Sequence, residues 1–186
     1  MLWIIVSVLV VVLDQTTKYI VTENISFGEM IPVIDGFFYL TLHKNPGAAW
    51  GILQDGRILF MITIPVISAI VLYFMIRKKN RFLRFSLALI LGGAAGNYID
   101  RLFEGKVTDF LLFYIGSYPF PIFNVADMAI TCGTVLLAIY MLFIYKEPSK
   151  GGRGDTDAKG AESEEKKDGT ADDGEAKIRG EFKNAD

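Results

Sequence analysis

Long runs of apolar residues alternate with short polar segments along the first 145 positions of the chain. A membrane-spanning helix needs roughly 20 mainly apolar residues, and four runs reach that length, at about 1–22, 58–76, 82–103 and 123–145. The pattern therefore predicts a membrane all-α fold with four transmembrane helices.

The first apolar run could also belong to a cleavable signal peptide, which would be absent from the mature protein. It has no basic start, and no small-residue cleavage site follows it. The polar sequence DQTTK at 14–18 lies where a cleavage site would be. We therefore expect a retained helix.

Basic residues predict how the helices are oriented. Five Lys or Arg residues crowd the short link between the second and third runs, at 77, 78, 79, 81 and 84. Because cytoplasmic loops are enriched in Lys and Arg, this link and both termini should be cytoplasmic. The stretches 23–55 and 104–122 should then lie outside.

The first outer stretch carries a strand signal, and the end of the chain carries a disorder signal. Residues 36–44 are rich in aromatic and β-branched residues between two turn sequences, which predicts a small extracytoplasmic β lobe at about 24–56. From Pro148 onward the chain is Gly, Lys, Glu and Asp with almost no large apolar residues. We expect a transmembrane domain at 1–147 and a disordered, charged cytoplasmic tail at 148–186.

Composition narrows the possible functions. The net charge is −2, and neither the apolar part nor the tail is basic enough to suggest a nucleic-acid surface. A single cysteine, Cys132, excludes an intrachain disulfide, and we expect it to be a small buried apolar residue. A single histidine, His43, leaves little for a His-based metal site or a Ser-His-Asp triad.

Several ionisable and amide residues interrupt the apolar helices, where a charge costs about 2.5–3.5 kcal/mol at the helix centre on insertion scales. With the predicted orientation, all of them fall near the outer ends of their helices. Asp109 joins them from the outer loop between the third and fourth helices. The set that should meet at one depth is Asp14, Lys18, Asn97, Asp100, Arg101, Asp109, Asn124 and Asp127.

Each member of this set also has a structural interpretation. Asp14 and Lys18 are four residues apart and can form a pair at a helix end, and Asp100 beside Arg101 can be structural in the same way. Asp127 has an amide three residues before it, Asn124, but no cation within helical reach in its own segment. A functional interpretation is therefore favoured for Asp127.

Two carboxyl groups in a partly dry site do not both ionise easily, so one holds a proton and the other does not. Such a pair can activate water and protonate a leaving group without a metal or a nucleophilic side chain. The chain has no HExxH and no GxSxG sequence. A proton- or ion-coupled transporter and a non-enzymatic assembly factor are the alternatives. A transporter usually needs polar residues through the whole membrane, and here they stop in the outer half.

Five motifs resemble one bacterial family in order and spacing. They are DQTTK at 14–18, NPGAAWG at 45–51, GGAAGNYIDR at 92–101, VTDF at 107–110 and FNVAD at 123–127. Together they resemble the lipoprotein signal peptidases (signal peptidase II), which are four-helix aspartic endopeptidases of the bacterial inner membrane. The resemblance implies cleavage of diacylglyceryl-prolipoproteins just before the lipidated cysteine.

The resemblance also implies roles for individual residues. The catalytic pair matches Asp109 and Asp127, and the residues that match the family's supporting polar positions are Asp14, Lys18, Asn45, Asn97, Asp100, Arg101 and Asn124. Neither a cofactor nor a metal is expected, and the expected partners are prolipoprotein substrates and membrane lipid, with globomycin as an inhibitor. We expect a monomer. Trp50 departs slightly from the family, where Phe is common.

Asp100 is an alternative partner for Asp127 in a catalytic pair. Its neighbour Arg101 should keep Asp100 ionised, which suits a supporting residue better than one that shares a proton. Other intramembrane aspartic proteases use a GxGD motif, which this chain lacks.

Overall fold

The computed structural model describes residues 2–47 and 57–145, apart from the side chains at 57 and 58. The helices are α1 (Leu2–Asn24), α2 (Arg57–Arg77), α3 (Arg81–Phe103) and α4 (Val125–Ile139), which continues as a π-helical turn over Tyr140–Ile144. Four helices in these residues are long and apolar enough to cross a membrane. This confirms the predicted fold class.

Helix α3 is the centre of the helical unit, because it packs against α1, α2 and α4. Its glycines allow this. A Cβ atom on Gly92 would lie 2.7 Å from the Ser7 carbonyl oxygen of α1, and one on Gly93 would collide with the Ala126 carbonyl of α4. Small residues let membrane helices approach closely, so the GGAAG sequence sets the distances between α3 and its neighbours.

A four-stranded antiparallel sheet completes the fold, in the order β1 (Met30–Ile34), β2 (Phe38–Asn45), β3 (Val107–Ile115) and β4 (Tyr118–Pro119). It packs on the last turns of α1, where an apolar cluster joins the two layers through Val21, Ile25, Leu42 and Phe110. The sheet therefore lies at the end of the unit that carries the polar residues.

The sheet extends beyond the lobe predicted at 24–56, which supplies only β1 and β2. Residues 107–115 were expected to be part of a loop, but they form the longest strand of the sheet. Their run of aromatic and β-branched residues fits a half-buried pleated surface. The division into a domain at 1–147 and a tail at 148–186 stays a prediction, and the tail lies outside the described residues.

Candidate active site

Asp109 lies in β3, which pairs with β2 so that Asp109 is opposite His43. Its side chain is only 2% exposed. Asn45, at the end of β2, donates a hydrogen bond from Nδ2 to Asp109 Oδ2 at 2.9 Å. Two strands distant in sequence therefore bring a carboxyl group and an amide together.

Asp127 lies in the first turn of α4, which begins at Val125 rather than at Phe123 as predicted. Asn124 is the N-cap: its side-chain oxygen accepts from the Asp127 amide at 2.9 Å, and Asp127 Oδ2 accepts from the Asn124 amide at 3.2 Å. This reciprocal pair is a capping box. It fixes the Asp127 carboxylate at the positive end of the helix.

Asn124 connects the two candidate catalytic residues. Besides its capping bonds to Asp127, its Nδ2 group donates to Asp109 Oδ1 at 2.6 Å. The side chain is fully buried. Because one rigid, buried amide bonds both residues, their relative position is fixed by the start of α4.

Burial raises the pKa of Asp109 to about 7 from its usual value near 3.8. Hydrogen bonds from Asn45 and Asn124 act in the opposite direction, while the negative charge of Asp127 adds to the increase. A carboxyl group with a pKa near neutrality can hold or release a proton at physiological pH, as a general acid requires.

Lys18 is the central cation of a buried network behind these residues. Its Nζ atom lies 2.8 Å from Asp14 Oδ2 and 2.9 Å from Asp100 Oδ2, and it donates to Asn97 Oδ1 at 3.1 Å. Asp14 in turn accepts from the Ala126 amide at 2.9 Å. Three helices are joined in this way, so Asp14 and Lys18 form an interior network rather than a pair at a membrane surface.

Asn97 connects the buried network to Asp127. Its Nδ2 group donates to Asp127 Oδ1 at 2.7 Å. The three-residue spacing had suggested that Asn97 would lie beside Asp100 on one helix face, but the hydrogen bond crosses from α3 to α4. The carboxylate of Asp127 thus has a donor at each oxygen.

Arg101 is oriented away from the buried network. Its guanidinium lies over the Phe60 ring of α2, 4.7 Å from the centroid, and donates to the carbonyls of Asn97 at 3.2 Å and Gly47 at 3.3 Å. The sequence predicted that Arg101 would stabilise the charge of Asp100. Among the described residues, Lys18 forms the ion pair with Asp100 instead.

A cleft of about 510 Å³ opens beside the two candidate catalytic residues. Its polar lining consists of Asn45, Thr63, Asn97, Arg101, Asp109 and Asp127, and the rest is mainly apolar side chains from α2, α4 and the segment before α4. Asp14, Lys18 and Asp100 are not among the described lining residues. The cleft can hold an extended apolar chain with its polar backbone facing two carboxyl groups and a guanidinium.

The sequence missed two contributors and misjudged a third residue. Gln15 bonds Asp100 Oδ1 at 2.8 Å and the Gly96 carbonyl at 3.2 Å; its place between Asp14 and Lys18 was the available signal. Phe60 supports Arg101 but resembles any other apolar residue of α2. Cys132 was expected to be buried, which is wrong: it is exposed on α4, where lipid-facing positions accept an apolar thiol.

Comparisons with known proteins show which family this chain is similar to. Residues 6–143 match the family described as "Signal peptidase (SPase) II". The lipoprotein signal peptidase of Geobacillus kaustophilus (strain HTA426) is 47% identical over 148 residues, 78% of this chain and 96% of the relative. That of Bacillus pumilus (strain SAFR-032) is 48% identical over 144 residues, 76% and 93% of the two chains.

Solved structures also match. A bacterial membrane enzyme determined by the in meso method at 2.3 Å is 40% identical, with a TM-score of 0.72 over 78% of this chain and 92% of its own. A second, at 1.9 Å, is 40% identical, with a TM-score of 0.70 over 77% and 94%.

Proposed function

The chain belongs to the signal peptidase II family and is a multi-pass membrane peptidase, and we propose that it is an aspartic endopeptidase with Asp109 and Asp127 as its catalytic pair. The observation that carries the proposal is that one buried residue, Asn124, bonds both carboxyl groups: its side-chain Nδ2 donates to Asp109 Oδ1 and its backbone N–H donates to Asp127 Oδ2. Both also line one cleft. The arrangement suits two carboxyl groups that share one proton.

Asp109 is the protonated member of the pair and Asp127 the ionised one. Asp109 has a pKa near 7 because it is buried, whereas Asp127 faces the positive end of α4 and accepts hydrogen bonds at both oxygens. Negative charge is favoured at a helix N-terminus. Asp127 therefore takes a proton from water, and Asp109 gives one to the leaving group.

The reaction is hydrolysis of one peptide bond. The hydroxyl of the activated water forms a bond to the scissile carbonyl carbon, and the carbon–nitrogen bond breaks as the departing amine receives a proton. Arg101 and Asn45 line the same cleft, and the N–H groups of these side chains that are not already bonded within the chain orient the peptide backbone by donating to its carbonyl oxygens.

The substrate is a prolipoprotein, as the name "lipoprotein signal peptidase" of the relatives suggests. In our proposal this substrate carries diacylglycerol and is cut just before its lipidated cysteine. The pair lies near helix ends rather than at the middle of the helices, because Asp127 is in the first turn of α4. A cysteine whose acyl chains remain in the bilayer has its backbone at this depth. The signal peptide enters from the lipid into the apolar part of the cleft.

The chain acts as a monomer in the bacterial cytoplasmic membrane, with the sheet outside, and globomycin inhibits it. The supporting residues Asp14, Lys18 and Asp100 fix the pair from behind the cleft, whereas Asn97 both bonds Asp127 and lines the cleft.

The decisive test uses the purified full chain and a synthetic diacylated prolipoprotein peptide. Asp109→Asn and Asp127→Asn should each reduce the cleavage rate by about 10²–10⁴-fold, the range for removing a general acid or base. Asp35→Asn is the matched control, since the same change is made in an exposed turn. Near-normal cleavage by either of the first two variants would refute the assignment. Ion flux in proteoliposomes without cleavage would favour a transporter.

A further inference from the structure

Five basic residues crowd the end of the helical unit opposite the catalytic pair. They are Arg77, Lys78, Lys79, Arg81 and Arg84. Within residues 2–47 and 57–145, the ion pairs are those of Lys18 and Lys44. The five cations therefore have no carboxylate partner in the part of the chain that the structure describes. Orientation in the membrane alone accounts for the charge, but it does not account for the geometry of Arg84.

Arg84 is held in place by an aromatic side chain of a different helix. Its guanidinium lies over the Trp3 ring of α1, 5.7 Å from the centroid. Its Nε atom is buried and has no hydrogen-bond partner among the described residues. A cation that loses part of its hydration without gaining an acceptor is destabilised. An anion at the exposed end of the guanidinium would offset this cost.

The beginning of α3 adds to the positive potential at this place. Asn80 caps the helix, accepting from the Leu83 amide at 3.0 Å, and α3 runs for 23 residues from Arg81. The N-terminus of such a helix carries a partial positive charge and favours anions. Arg84 is in the first turn, so its charge and that of the helix end act on the same small volume.

Apolar side chains lie beside the half-buried Arg84. Trp3 packs edge-on against Phe85, with 6.4 Å between the ring centroids. Phe85 is exposed on the surface of the helices, together with Leu2 and Ile5 of α1. A ligand that bonds Arg84 would therefore place its remaining atoms along an apolar seam, which excludes a small hydrophilic anion as the best fit and favours an amphipathic one.

We propose that the seam between α1 and α3 at Trp3 and Arg84 binds the phosphate headgroup of an anionic phospholipid. Arg84 donates through its terminal nitrogens to the phosphate oxygens, Lys79 and Arg81 supply the neighbouring positive charge, and the acyl chains lie against Leu2 and Phe85. Basic pockets between membrane helices recognise anionic headgroups in this way. The site is independent of the proposed catalytic reaction.

Trp3 supplies a direct reporter, because the chain has only two tryptophans. In a full-length Trp50→Phe background, Trp3 fluorescence is followed in detergent while short-chain phosphatidylglycerol, phosphatidylcholine or inorganic phosphate is added. Phosphatidylglycerol should give a saturable change that phosphatidylcholine does not. Arg84→Gln should weaken this binding about tenfold, the effect of losing one hydrogen bond to a charged group.

Arg77→Gln is the matched control, because it removes the same charge from the same basic region. The guanidinium of Arg77 lies over the Tyr73 ring instead of the Trp3 ring. It should weaken binding by less than about threefold. Equal weakening by both variants would mean diffuse attraction and would overturn the site. Saturation by inorganic phosphate at the same concentration would overturn the lipid assignment. Thermal transitions show whether each variant is folded. Arg84→Lys, which keeps the charge but not the planar fork, should bind phosphatidylglycerol more tightly than Arg84→Gln.

Discussion

Asp100 accepts a hydrogen bond from the backbone amide of Thr108 at 3.0 Å, and Thr108 directly precedes Asp109 in β3. The Thr108 carbonyl accepts from Asn124 Nδ2 at 3.2 Å. Side chains of α3 and of the residue that caps α4 therefore bond both polar backbone groups of Thr108. The position of Asp109 relative to the helices depends on these two bonds.

This relationship predicts that Asp100→Asn lowers cleavage through misplacement of Asp109. The asparagine leaves Lys18 with one fewer charged partner in a buried network, so the strand should shift and the rate should fall by up to about 10²-fold. The measurement is kcat for the diacylated peptide beside the thermal transition of the same preparation. A folded Asp100→Asn variant that has lost all activity would instead make Asp100 the partner of Asp127.

Cleavage should depend on pH through Asp109. Its pKa is about 7 because it is buried, and the proposed mechanism needs it protonated. The rate should therefore be high below pH 7 and decline as the pH rises through that value. A profile of kcat/KM from pH 5 to 9 measures this. A rate that keeps rising above pH 7 would reverse the proposed roles of the two carboxyl groups.

The same group predicts a pH dependence of stability. Asp109 binds its proton more tightly in the folded chain, with a pKa of about 7 against 3.8 ordinarily. Its contribution to stability is therefore complete below about pH 4 and is lost as the pH rises through 7. Asp109→Asn should be more stable than the parent at pH 8, with a smaller difference at pH 5. Thermal transitions in detergent test this, with Asp35→Asn expected to follow the parent at both pH values.

Gln15 should contribute measurably to stability. It bonds the Asp100 carboxylate and the Gly96 carbonyl across the α1–α3 interface. Gln15→Leu removes the donor to Asp100 Oδ1 and the bond to the Gly96 carbonyl from α1, which costs about 1–3 kcal/mol. Thr17→Val is the control, because the Thr17 hydroxyl donates within its own helix, at 2.9 Å to the Leu13 carbonyl, and should change stability by less than about 0.5 kcal/mol. Equal thermal shifts would contradict the proposed contribution.

The orientation in the membrane is testable with single cysteines. In a Cys132→Ser background, Glu29→Cys lies on the sheet side and Lys79→Cys in the basic link, and both positions are exposed. Because basic links remain in the cytoplasm, an impermeant maleimide should label position 29 in intact cells and position 79 only after lysis. The opposite pattern would place the sheet and the candidate site on the cytoplasmic side.

Much of the fold could be predicted because membrane insertion depends on local composition. Four apolar runs predict four helices, and the bounds found for α2 and α3 differ from the predicted ones by one residue at most. The strand at 38–45 was predicted from its aromatic and β-branched residues. The strand at 107–115 was not, because Asp109 resembled an ordinary acid in the loop that joins the third and fourth helices.

For the candidate site, the sequence predicted only the depth in the membrane at which its residues lie. Charges near helix ends lie at similar heights, and this follows from the 1.5 Å rise per residue. The rise per residue does not predict which residues bond across neighbouring helices. A helix that is apolar on all sides has no hydrophobic face that fixes its rotation about its own axis. Asn97 could have bonded Asp100 on its own helix as well as Asp127 on the next one.

The sequence by itself determined that four helices form and that their polar residues gather at one end, since both follow from local composition and helical rise. The tertiary structure alone decided that Asn124 bonds both Asp109 and Asp127, that Lys18 rather than Arg101 neutralises Asp100, and that Cys132 is exposed. These outcomes depend on close packing at the α3 glycines and on pairing between strands more than 60 residues apart, which no local pattern encodes.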